Sequence, residues 1–75
     1  MFKRKILFHN NYEVRKFVKE AEKCDFEIDI SHNHIFIDAK SILGVIGFGL
    51  SKVLTVTYSD KNIAFEKVIR ELEVA

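Results

Sequence analysis

Proline is absent from this 75-residue chain, and so are repeats and low-complexity stretches. No stiff linker divides it, and one domain over residues 1–75 with short connections is the expectation. A single cysteine, Cys24, excludes an intramolecular disulfide framework. It reads as a small buried hydrophobe in a reducing compartment. Long apolar runs are missing as well: the segment from Met1 to Phe8 starts basic, but its apolar part is short and stops at His9-Asn10-Asn11. That fits neither a signal peptide nor a membrane span, so a cytoplasmic protein without a membrane partner is expected. Charge of one sign is lacking too. Twelve Lys and Arg against eleven Asp and Glu leave a formal net charge of +1, which gives no drive toward nucleic acid. The basic cluster Lys3-Arg4-Lys5 reads as the solvated face of an edge strand. What is abundant is apolar residues, 48% of the chain, enough for a core near the lower size limit of folding without disulfides or metal.

The apolar residues fall into periods. Ile6 and Phe8 share one face of a strand starting near Phe2. From Glu13 to Lys23, Val14, Phe17, Val18 and Ala21 recur at helical spacing with Arg15, Lys16, Lys19, Glu20 and Glu22 outside, which predicts an amphipathic helix capped by Asn10 or Asn11. Phe26, Ile28 and Ile30 alternate with acidic residues, and Ile35 and Ile37 alternate across Phe36. Ser31-His32-Asn33-His34 lies between, predicting a hairpin with a tight polar turn. Leu54, Val56 and Tyr58 mark another strand, and Asp60 is expected to cap a last helix with the core stripe Phe65, Val68, Ile69 and Leu72. The resulting order, βαββαβα, is α+β: two amphipathic helices cover one face of a mainly antiparallel sheet and the other face stays wet.

Between the third and fourth strands stands the run Asp38-Ala39-Lys40-Ser41-Ile42-Leu43-Gly44-Val45-Ile46-Gly47-Phe48-Gly49-Leu50. Ser41 is placed to cap a short helix ended by Gly47 or Gly49, and capping alone would account for it. A phosphate there would sit at the positive end of that helix. So short a helix cannot hide all its apolar side chains. Ile42, Val45 and Phe48 are expected inward, leaving Leu43 and Ile46 exposed as a docking patch or a self-association contact.

The pattern Lys40-Ser41-Ile42-Leu43-Gly44-Val45-Ile46, followed by Gly49 and an alternating strand, resembles the regulatory-serine segment of HPr, the small phosphocarrier family of the sugar phosphotransferase system. The resemblance implies an HPr-like open-faced β-sandwich with a four-stranded sheet. It also implies regulatory phosphorylation of Ser41 by a serine kinase, and a partner-binding surface including Leu43, Ile46 and Lys40. The implied partners are phosphotransferase-system or carbon-catabolite regulatory proteins.

The other half of the family signature, a Gly-Ile-His-Ala-Arg-Pro loop carrying the phosphorylated histidine, is missing. Aligned through Phe17-Val18, the histidine position falls on Asn10, and the following arginine and proline positions fall on Tyr12 and Glu13. Asparagine carries no phosphoryl group, and Glu13 would oppose phosphate where the family has cationic support. Aligned through Ile6 and Phe8 instead, several loop residues have been lost.

His9 is the one candidate substitute phosphoacceptor, with Arg15 nearby; its other reading is a polar strand end. His32 and His34 with Asp29 and Asp38 fall short of a metal set, and no cofactor or other catalytic constellation is indicated, so no enzyme is expected. Three functions stay open: an HPr-like regulatory docking module without histidine phosphoryl transfer, a phosphocarrier using His9 in a rearranged loop, and an HPr fold recruited to an unrelated interaction.

Overall fold

Residues 1–74 are described by the computed structural model. The opening alternation forms strand β1 (Phe2–Leu7), with Ile6 fully buried and Lys3 and Lys5 exposed on the opposite face. Helix α1 (Asn11–Glu22) starts two residues before Glu13 because Asn10, in extended backbone, caps it by accepting from the Glu13 N–H. Its buried stripe is Val14, Phe17, Val18 and Ala21, as the helical spacing requires.

Strands β2 (Ile28–His32) and β3 (Ile35–Asp38) form the hairpin. Its loop is shorter than the four residues the pattern suggested. Ser31 and His32 pair with Phe36 and Ile35, leaving Asn33 and His34 alone in the turn with φ of 49° and 67°. Two successive left-handed residues make the turn whose twist matches that of paired strands, and asparagine tolerates that conformation. Ile35 remains 57% exposed because β3 is the outermost strand, with no neighbour on its far side.

Helix α2 (Ile42–Ile46), strand β4 (Val53–Tyr58) and helix α3 (Ile63–Leu72) complete the chain. Asn62, not Asp60, caps α3: its Oδ1 accepts from the Phe65 N–H at 3.0 Å. Asp60 lies two residues too early and instead accepts from the Lys61 N–H. The four strands form one antiparallel sheet in the order β1-β4-β2-β3. Ile6, Leu54, Val56, Tyr58, Ile28 and Ile30 lie on its inner face and join the stripes of α1 and α3 in one core cluster. The architecture is an α+β open-faced sandwich. Cys24 is in that core, where burial pushes its thiol pKa up.

One inward position of β1 is polar. Arg4 donates to both Glu73 oxygens, at 2.6 and 2.7 Å, and to Glu66 at 2.9 Å, while the Tyr58 hydroxyl donates to Glu66. The hydrogen bonds from Arg4 hold the Glu73 carboxyl below its ordinary range. Val74 N–H donates to the Lys5 carbonyl, so the segment after α3 runs back along β1. Burial, then the hydrogen bond to Glu66, pushes Tyr58 up to about 12. The folded state therefore holds the phenolic proton more tightly than the unfolded chain. The stability this confers is complete below the unfolded value of 10.0 and is lost as pH rises toward about 12. Urea midpoints followed over that window are expected to fall less steeply in Tyr58→Phe than in the parent; equal slopes would contradict the assignment.

Candidate functional site

The turn before α2 is built by Asp38, whose side chain accepts from the Lys40 N–H at 2.9 Å and whose carbonyl accepts from the Ser41 N–H at 3.0 Å. Buried Ala39 fixes the turn to the sheet by donating to the Ile28 carbonyl. Ser41 then caps α2, its Oγ accepting from the Gly44 N–H at 3.3 Å, and the residue is exposed. At Gly44 the helix closes on the sheet: a Cβ there would meet the Ile37 Cγ2 at 2.5 Å. Val45 is fully buried, Phe48 is nearly so, and Ile42 packs against the core at partial exposure. Leu43 is 82% exposed and Ile46 42%. Gly49, at φ 85°, and Ser51, at φ 62°, turn the chain into β4.

Lys40 is tethered, its Nζ donating to the Cys24 carbonyl at 2.8 Å. The chemistry left open on this segment is therefore an exposed hydroxyl, its oxygen capping α2, beside two exposed aliphatic side chains.

The second candidate lies next to it, because the Ser51 N–H donates to the Phe8 carbonyl at 2.8 Å and brings the loop after α2 to the end of β1. There the start of α1 is closed by its own side chains. Asn10 takes the Glu13 N–H, and the Glu13 carboxylate reaches back to the His9 N–H at 2.8 Å and the His9 Nδ1 at 3.1 Å. The two side chains together close the helix start and set a carboxylate beside its backbone donors. The adjoining hollow, about 140 Å³, is lined by Asn10, Tyr12, Glu13, Lys16 and Glu71. Lys16 is paired with Glu71 at 3.2 Å, so its charge is already answered.

His9 is largely exposed, and Arg15 forms no ion pair among the described residues. Tyr12, Arg15 and Lys19 are exposed on α1, the helix against which α2 packs. The helical period already places Arg15 and Lys19 outward, and Arg15 near His9; Tyr12 was not read from the sequence as part of this surface, although its place at the start of the same helix was the available signal. His32 has its Nδ1 at 3.3 Å from the Val53 carbonyl, and its ring stands edge-on to Phe48. His34 is exposed in the hairpin turn. Among the described residues no three His, Cys, Asp or Glu are grouped to hold a metal, and no helix is long and apolar enough to cross a membrane.

By sequence, neither a family model nor a curated protein matches the chain. By structure, it superposes on HPr-C-His from Thermoanaerobacter tengcongensis with a TM-score of 0.74, covering 95% of this chain and 93% of that one at 22% identity. The chain has the HPr fold. The phosphocarrier protein HPr from Bacillus anthracis str. Ames is similar to the same degree, with a TM-score of 0.74 over 95% of each chain at 19% identity. Identity this low carries the fold and leaves the chemistry of the site to its own residues.

Proposed function

We propose that this is an HPr-like protein of the sugar phosphotransferase system that acts as a regulatory docking module without histidine phosphoryl transfer, controlled by phosphorylation of Ser41. The observation that carries this reading is the closed start of α1: the side chain of Asn10, on which the alignment through Phe17-Val18 puts the histidine position, and that of Glu13 already occupy the helix cap. Phosphate transfer needs donors and positive charge at that place. The exposed Ser41 hydroxyl and the apolar Leu43 and Ile46 beside it support the docking half. The partners are phosphotransferase-system or carbon-catabolite regulatory proteins and a serine kinase, and the place of action is the cytoplasm.

His9 supports a second reading, a phosphocarrier with a rearranged loop, since its ring is exposed at the mouth of the same helix. Two assays separate the readings. With phosphoenolpyruvate and the system's first enzyme, no acid-labile phosphate is expected on the protein; label that disappears in His9→Ala would overturn the proposal in favour of the carrier. With ATP and a serine kinase that acts on HPr proteins, one acid-stable phosphate is expected, lost in Ser41→Ala. Absence of that phosphate from the parent would sink the regulatory half.

A further inference from the structure

The open face of the sheet has its charges sorted to opposite edges. Strand register places Lys3, Thr57, Asp29 and Asp38 side by side in one row across β1, β4, β2 and β3, and Lys5, Thr55, Ser31 and Phe36 in the next. All eight lie on the face away from α1 and α3, since their strand neighbours Ile6, Leu54, Val56, Ile28 and Ile30 are buried in the core. Asp29 and Asp38 are exposed and directly opposite one another, and like charges in that relation are destabilising. Only a backbone donor, the Lys40 N–H on Asp38, offsets them. Neither carboxylate forms an ion pair among the described residues, and Lys40, which lines the same hollow, has its ammonium on the Cys24 carbonyl. Lys3 and Lys5, exposed at the other edge, form no ion pair either among the described residues.

We infer that the partner of this face is a second copy of the chain, packed sheet to sheet around a two-fold axis parallel to the strands. Such an axis, running between β4 and β2, keeps each row in place and exchanges its ends. Lys3 of one copy then lies over Asp38 of the other, and Lys5 over Phe36, which is 66% exposed and fits the aliphatic stem of a lysine. The opposite arrangement, with the axis across the strands, would set lysines against lysines. The operation closes on itself, so it yields a dimer and not a filament. Four strands at the usual spacing make a face of roughly 20 by 20 Å, smaller than the roughly 800 Å² per partner of stable interfaces. The dimer is therefore weak, held by charge, and sensitive to salt. It leaves the helical side, with Ser41 and Leu43, outward in both copies, and it does not depend on the function proposed above.

Sedimentation velocity on the whole protein tests this. The mass is expected to rise from 8.7 kDa toward twice that as concentration approaches about 1 mM at low salt, and the association to weaken about tenfold when salt is raised to about 0.5 M. Lys3→Glu/Lys5→Glu and Asp38→Lys, each checked for an unchanged circular dichroism spectrum, are expected to be monomeric alone, because each sets like charges face to face at positions 3 and 38. Mixed in equal amounts they are expected to form a heterodimer, since every edge contact is then of opposite sign. A monomer at all concentrations would overturn the inference. So would self-association unmoved by these charge reversals but lost in Leu43→Asp, which would place the contact on α2.

Discussion

Aspartate at both Leu43 and Ile46 is expected to lower the kcat/KM of a serine kinase for Ser41 by about 30-fold or more, equivalent to about 2 kcal/mol, the scale of a hot spot at a protein interface. The fold should hardly notice. Leu43 is 82% exposed and Ile46 42%, while the residues that hold α2 to the core are Val45, Phe48 and Ile42. Exposed substitutions away from caps and buried contacts usually fall within about 0.5 kcal/mol. The effect would therefore arise in the complex, where an aspartate must shed water against an apolar partner surface without a paired cation. A melting temperature near that of the parent, measured alongside the kinase rate, separates lost docking from lost structure. An unchanged rate would place recognition outside α2. The neutral pair Leu43→Ala and Ile46→Ala should fall between, because it removes contact area without adding charge.

Methionine at Arg4 is expected to cost the fold about 2 kcal/mol, less than the roughly 3–5 kcal/mol seen when one partner of a fully buried ion pair is removed, because the Arg4 side chain is 24% exposed. For a chain of this size that corresponds to a fall in melting temperature of roughly 8–16 °C. The reason is what remains behind. The Glu66 side chain is only 11% exposed, and without Arg4 its charge is supported by the Tyr58 hydroxyl alone. The two bonds from Arg4 to Glu73 go as well, and with them the side-chain tie between β1 and the segment after α3. Replacing the three inward groups together, Arg4→Met with Tyr58→Phe and Glu66→Leu, should recover most of the loss, because no buried charge is then left unpaired. Denaturant titration of the single and triple variants checks both statements. A triple variant no more stable than Arg4→Met would show that the network's value lies in packing and not in charge.

The elements themselves were legible because each carries its period openly. Val14, Phe17, Val18 and Ala21 repeat as a helix and Leu54, Val56 and Tyr58 as a strand, and burial follows those periods. The ends were less legible. Asp60 and Asn62 are both capping residues, and only the extended backbone at Asn62 decides which one caps α3. The hairpin turn likewise contracts to Asn33-His34, because pairing of Ser31 and His32 with β3 stabilises two further rungs. At the candidate site, Ser41 was placed by local capping chemistry, which a sequence displays. The tether from Lys40 to Cys24 spans sixteen residues and no local pattern announces it.

Sequence alone determined the order of the elements, the residues on the core side of each and the capping position of Ser41. These depend on neighbours within a turn or a strand, and such neighbours are adjacent in the chain. Tertiary structure decided that the ends of β1 and α2 meet through Ser51 and Phe8, that Glu13 closes the helix start onto His9, and that the lysines of β1 share a row with the carboxylates of β2 and β3. Those relations join residues that are distant in the chain or depend on side-chain direction, and they exist only once the sheet has its register and the helices are seated on it.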